Sequence, residues 1–364
     1  MTAPPGPPAW RDIWEIGADT EAAADRVTVD AMGTAVHVAT DHAELHDVAE
    51  AWGTAFSLPA ARSDSGLQLS APIDPTWLAG VEANVAQTAG WWGGASSLEV
   101  RAPDASGASA PSTLAPGRAI CFTAGVDSFF ALLRGHHRPT HLLFVVGYDV
   151  DLDDGPRVGQ VTADVEAIAA ATGTRPLIVR TDLRTHPQFA SISWEHTHGA
   201  ALATIGHLVH PSIGTMVIPP SYTTARLIPW GSRPDLDPRW SVPGRLRVEH
   251  GNASGRRLDR VFAIAADPLV HRHLRVCWRN VDETLNCGRC EKCVRTMVML
   301  AGADQLQHCR TFPDRADLPA VLDELDTVGA HHVLMWSDLT ALDLRPDERR
   351  AVVALLGRSA EGPS

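Results

Sequence analysis

Nothing in this 364-residue chain approaches the ~18 consecutive apolar residues that a bilayer-spanning helix requires. The opening stretch, "MTAPPGPPAWRDIWEIG", has neither the basic patch nor the apolar core of a secretory signal, so a soluble, cytoplasmic protein with no membrane partner is expected. Basic residues are also short: Lys and Arg total 31 against 43 Asp and Glu, a formal net charge of −12. That balance repels phosphate backbones and argues against a nucleic-acid partner. The densest basic stretches, "RLRVEHGNASGRRLDR" and "CGRCEKCVR", are broken by acids or tied to other motifs. No Gly-Lys-Ser/Thr follows a glycine-rich turn, which excludes a Walker A loop, and no internal repeat is present. What remains is globular in composition, with 45% hydrophobic and 20% charged residues, enough for one large domain or two ordinary ones.

Composition divides the chain. Residues 1–102 read as a small α+β domain, with a hairpin in "RVTVDAMGTAVHVAT", a helix opening at Asp74-Pro75 and a closing strand in "SLEVRAP". The Pro, Ser, Ala and Gly of residues 103–117 read as a linker. From 118 to 302, apolar strands such as "HLLFVVGY" and "TMVIPPSY" alternate with helical stretches such as "VGQVTADVEAIAAATG". That pattern predicts an α/β domain with a parallel sheet buried on both faces, whose ligands bind beyond the carboxyl ends of the strands. Residues 303–364 read as a helical tail, with "PAVLDELDTVGAHHVLMW" and "PDERRAVVALLGRSA" as its two helices.

The strand "AICF" runs straight into "TAGVDS", residues 123–128, and then into a helix. A helix that starts there leaves its first N–H groups unpaired and carries partial positive charge. Gly125 allows close approach of the backbone, and Thr123 and Ser128 supply hydroxyls. The turn has the makings of a phosphate nest, with Asp127 placed to hold Mg²⁺. The bland alternative is an ordinary strand-to-helix turn with Asp or Ser as the N-cap.

Four of the six cysteines lie within seventeen residues: Cys277, Cys287, Cys290 and Cys293. Such clustering in a reducing compartment favours a metal over disulfides. Cys-Gly-x-Cys is a turn that brings two thiolates to one ion, and four thiolates make a closed, structural zinc site, with an iron–sulfur cluster as the alternative. Arg289, Lys292 and Arg295 either offset the thiolate charge or form a solvated helix face.

The turn resembles the Ser-Gly-Gly-Xaa-Asp-Ser signature of the PP-loop ATP pyrophosphatases, with Thr123 for the first Ser, Ala124 for the first Gly, and Gly125, Val126, Asp127 and Ser128 following. Together with the cysteine spacing, residues 118–302 resemble the 7-cyano-7-deazaguanine synthases. That resemblance implies a PP-loop fold with ATP at residues 123–128, Mg²⁺, Zn²⁺ at the four cysteines, and Asp127 and Ser128 in catalytic roles. It also implies an AMP- and pyrophosphate-forming ligase that activates a small carboxylate or amide for a nitrogen donor. A tRNA-modifying thiolase of the same superfamily and a non-catalytic nucleotide-binding relative are the alternatives, and homo-oligomerisation is left open.

For the substrate, the loop "IPPSYTTARLIPWGSRPDLDPRWS" offers Tyr222, Arg226, Trp230, Ser232, Asp235 and Asp237, and the helix head "SWEHTHGAAL" offers His198, with a well-packed surface loop and solvated histidines behind a capping acid as the alternatives. Arg257 stands between a strand and a helix, where it suits a phosphate. Cys121 reads as core, and Cys309 is left without a role.

Overall fold

The computed structural model describes residues 12–104, 113–281, 283–313 and 317–360; most of the stretch read as a linker, 105–112, lies outside them. The first half contains β1 (Ile13–Ala23), β2 (Arg26–Ala31), β3 (Thr34–Ala39), α1 (Ala49–Arg62), β4 (Gly66–Leu69), α2 (Pro75–Trp92) and β5 (Val100–Arg101). The hairpin forms where expected, because Met32 and Gly33 take positive φ values of 55° and 75° between β2 and β3. Helix α2 opens as read: the Asp74 carboxylate accepts from the Thr76 and Trp77 N–H groups at 2.7 and 3.1 Å, and Pro75 has no N–H to strand.

Next come β6 (Arg118–Cys121), α3 (Val126–Arg134), β7 (His141–Val146), α4 (Gly155–Thr172), β8 (Arg175–Thr181), α5 (Pro187–Ala190), α6 (Trp194–Leu208), β9 (Thr215–Ile218) and β10 (Arg247–His250). Helices α7 (Arg257–Ile264), α8 (Pro268–His273), α9 (Glu291–Gly302), α10 (Leu318–Asp323), α11 (Ala330–Ser337) and α12 (Pro346–Ala360) complete the chain. Among the described residues, ten strands form one sheet in the order β10-β9-β6-β7-β8-β3-β2-β1-β4-β5. The fold is α/β with a large, mixed, mostly parallel sheet. From β10 to β8 every neighbour is parallel, and the antiparallel pair β3–β8 joins the N-terminal strands to them.

Within the parallel half the chain runs from β6 outward through β7 to β8, then returns to β9 on the other side of β6. The strand order therefore reverses between β6 and β9. The crevice beyond their carboxyl ends is where a doubly wound sheet takes its ligand. Alternation sends Leu143, Val145, Leu177 and Val179 into the core beneath α1, α2 and α6, while Leu142, Phe144, Val146 and Ile178 enter the core beneath α4, α7 and α9. All six residues of β7 are buried, as an apolar run in a two-faced sheet requires.

The stretch read as a single helix, "PAVLDELDTVGAHHVLMW", splits into α10 and α11. Asp323, Glu324 and Asp326 would crowd negative charge at a helix C-terminus, and the next helix starts afresh after Gly329. Among the described residues, no helix is long and apolar enough to cross a membrane.

Candidate functional site

The Thr123–Ser128 turn leaves β6 at the reversal point and enters α3. Its N-cap is Gly125, with no side-chain cap, so neither Asp127 nor Ser128 serves as the cap that an ordinary turn would use. The first helix N–H groups are left for something else. Ser128 Oγ instead donates to the Gly125 carbonyl at 3.0 Å. Ala124 is held at φ 56°, left-handed, which costs a residue with a Cβ about 1 kcal/mol. What holds it there is buried packing and a hydrogen bond from the Arg275 N–H to the Ala124 carbonyl at 2.9 Å. Strain of this kind collects where surrounding structure over-determines a functional turn.

This turn floors a cleft of about 200 Å³. Leu143, Val145, Tyr148 and Leu202 give the cleft an apolar wall, while Thr123, Ser128, Asp127, Arg257 and Lys292 give it a polar end. The Asp127 carboxylate receives Arg257 Nη2 at 2.6 Å and Arg260 Nη1 at 2.7 Å, both from α7. Arg260 is only 1% exposed, and it also donates to the Pro220 carbonyl, tying the turn to the loop that follows β9. Lys292, the only lysine in the chain, lies on α9 and lines the same end. Burial pulls its ammonium below the ordinary lysine range, and Arg257 pulls in the same direction. Arg295, one helical turn on, is buried against Glu291 at 2.8 Å. Lys292 and Arg295 are therefore not a solvated face; only Arg289 is exposed. Their i, i+3 spacing on a helix was the available signal that they share a side.

Of the residues proposed for the substrate, His198 lines the cleft, and its Nδ1 faces the Trp194 carbonyl at 3.2 Å. Burial lowers its pKa, which keeps it neutral near pH 7. Trp230 packs edge-on to both His198 and Tyr222, with ring centres 5.5 and 5.4 Å apart. The loop is pinned there because Gly231 and Gly199 allow backbone contact with α6: a Cβ on Gly199 would meet the Gly231 carbonyl at 2.2 Å. Tyr222 and Arg226 border a second cavity next to the cleft. Asp235 is not brought to either. It is held by Arg233 Nε at 2.8 Å and by Gln87 of α2, so it fastens the loop to the N-terminal region. Asp237 is fully buried and accepts from Ser232 Oγ and His250 Nδ1, both at 2.7 Å, so of this trio it is the Ser232 side that meets the cleft.

The four cysteines converge. Their sulfurs all lie within 4.8 Å of one another, and those of Cys287 and Cys293 are 3.9 Å apart. A tetrahedron with Zn–S bonds of ~2.3 Å has edges of about 3.8 Å, so the set can hold one ion such as zinc. Gly288, at φ 70°, makes the knuckle turn. The Cys290 N–H points at Cys287 Sγ (3.3 Å) and the Cys293 N–H at Cys290 Sγ (3.4 Å), each stabilising a thiolate. Buried Asn286 locks Cys277 to the knuckle: its Oδ1 accepts from the Val276 and Cys277 N–H groups at 2.7 and 3.1 Å. Of the other two cysteines, Cys121 lines the cleft, where burial pushes its thiol up, away from reactivity, and Cys309 is buried in the core that also holds the cluster.

The cluster and the turn are neighbours. Val276, beside Cys277, lines the cleft; Arg275 bonds to Ala124; and Lys292 sits between Cys290 and Cys293. Comparison of the chain with protein-family models, with curated proteins and with solved structures finds no match.

Proposed function

We propose that the protein is an ATP-dependent, AMP- and pyrophosphate-forming ligase or synthase. It adenylates a small carboxylate or amide oxygen and passes the activated group to ammonia or another nitrogen nucleophile. The observation that carries this reading is the uncapped, strained turn Thr123–Ser128 at the sheet's reversal point, lining one cleft with Lys292 and Arg257. Two cations, Arg257 and Lys292, and two acids, Asp127 and Asp149, line the cleft, with Arg260 behind Asp127 and Arg295 behind Lys292, in a chain whose net charge is −12. A polyphosphate with its divalent cation suits a site that offers helix N–H groups, cations and carboxylates together.

In this reading, the helix N–H groups and Lys292 bind the phosphates, and the apolar wall of Leu143 and Val145 takes the base. The substrate's carboxylate oxygen attacks the α-phosphorus, the bond to the α,β-bridging oxygen breaks, and pyrophosphate leaves with the electron pair. Arg257 and Lys292 stabilise the charge that develops on it. Mg²⁺, when bound, would screen the polyphosphate, with Asp127 as its protein ligand once Arg257 turns to phosphate. Zinc is the ion proposed for the four cysteines, in a structural role.

One observation favours a second reading, a nucleotide-binding protein without turnover: the Asp127 carboxylate is already held by two arginines. Both readings require ATP to bind. Titration calorimetry with ATP tests this, and Lys292→Gln is expected to weaken binding at least tenfold while leaving the circular dichroism spectrum unchanged. That follows from losing a charge-assisted hydrogen bond of ~1.5–3 kcal/mol. Equal affinities for the two proteins would remove the cleft from consideration.

A further inference from the structure

The cleft opens beside a larger cavity of about 340 Å³, within the range of small-molecule sites. Ser221 and Arg257 line both spaces. The second cavity is bounded by the loop after β9, the start of α7, α9 and α11, and its lining is of two kinds. Ile228, Leu258, Met299 and Leu334 are apolar. Arg257 and Arg295 are cationic and lie close enough to act on each other and on Asp127.

The charges around it do not balance evenly. Arg226 and Arg256 both reach Asp338, at 3.2 and 3.4 Å, which satisfies the outer pair. Arg257 has only a share of Asp127, because Arg260 takes the other oxygen. The Arg257 Nε is buried and has no acceptor among the described residues. One anion is missing where the two spaces meet, next to a compartment of aliphatic and thioether side chains.

We propose that this cavity is the acceptor site and that it takes a carboxylic acid with a single negative charge and an apolar body. The assignment rests on reading the neighbouring cleft as an ATP site. The carboxylate sits at Arg257, and the body packs against Ile228, Leu258, Met299 and Leu334. Arg257 then borders both spaces, which brings the carboxylate next to the nucleotide. The nucleotide base does not compete for the space, since the cleft has an apolar wall of its own in Leu143, Val145 and Leu202. A second carboxylate at the far end of the acid would meet apolar groups or Asp338, since Arg226 and Arg256 are already paired with Asp338 and Arg295 with Glu291, which disfavours dicarboxylates.

Calorimetry on the full chain, in the presence of α,β-methylene-ATP (which resists cleavage between the α- and β-phosphates), tests the assignment with butyrate, hexanoate and octanoate. Affinity is expected to rise roughly fourfold for each added CH₂. Suberate and octanamide, which add a charge and remove one, are expected to bind at least tenfold more weakly than octanoate. Leu334 is 58% exposed, so Leu334→Glu folds normally while placing a carboxylate in the cavity. It is expected to weaken octanoate at least tenfold and to change affinity for the ATP analogue by less than twofold. Equal binding of octanoate, suberate and octanamide would overturn the proposal. So would a Leu334→Glu variant that keeps octanoate affinity, or one that loses the ATP analogue to the same degree. If the ATP analogue binds and none of the acids does, the acceptor assignment fails while the ATP reading stands. If octanoate binds with the expected selectivity and the analogue does not, the cavity stands and the ATP reading fails.

Discussion

Stripping the metal, by chelation or by Cys290→Ser, is expected to remove the proposed nucleotide site along with the ion. The energy is large enough: a structural zinc contributes ~10–16 kcal/mol in small domains, comparable with the ~5–15 kcal/mol that stabilises a whole domain. The wiring is direct as well. Lys292 lies between two of the cysteines, and the Arg275 N–H, two residues before Cys277, holds the strained Ala124 through its carbonyl at 2.9 Å. Asn286 passes the position of the knuckle to the 274–277 segment through three hydrogen bonds. Once the knuckle loosens, Ala124 loses its partner and relaxes from φ 56°. Three measurements should therefore fall together: metal content near one per chain dropping to zero, the melting temperature, and ATP affinity. ATP binding that survives metal removal would show that the cluster only staples the fold.

The second large effect is at Asp127. Asp127→Ala removes the carboxylate that two arginines share, and one of them, Arg260, is 1% exposed. A buried guanidinium stripped of its partner costs about 3–5 kcal/mol, so this variant is expected to be strongly destabilised in urea as well as inactive. Asp127→Asn keeps an acceptor oxygen and the side-chain volume. It is expected to recover part of the stability and none of the turnover. Activity lost with stability intact in the Asn variant would separate the proposed catalytic role of Asp127 from its structural one. An Ala variant as stable as the parent would mean that the Arg260 contact is weaker than its 2.7 Å distance implies.

How much of this was legible in the sequence follows from what is local. The apolar run of β7, the cap at Asp74-Pro75, the turn at 123–128 and the cysteine spacing are all set within a few residues, and each appears where it was read. Pairing between distant strands is not local. The alternation in "TAVHVA" announces a strand but not its partner, so nothing pointed to β3 lying against β8. The same limit applies to the site. Acids in a loop rich in Pro and Trp look alike from the sequence, yet Asp235 anchors the loop to Gln87 and Asp237 is sealed against His250. Arg260 gave no sign of its importance, because its partner is 133 residues away in the chain. Lys292 carried one: a chain with a single lysine placed it at helical spacing from Arg295, beside the cysteines. Reading it as thiolate compensation missed that a short helix can show one side to a metal knuckle and another to a cleft.

The most direct measurement follows two labels on ATP. The protein, with its metal and Mg²⁺, is incubated with octanoate and ammonia and with ATP labelled at either the α- or the γ-phosphate, and the products are separated. The α-label should appear in AMP and the γ-label in pyrophosphate, both only when the acid is present. A γ-label released as orthophosphate, with the α-label in ADP, would contradict the account.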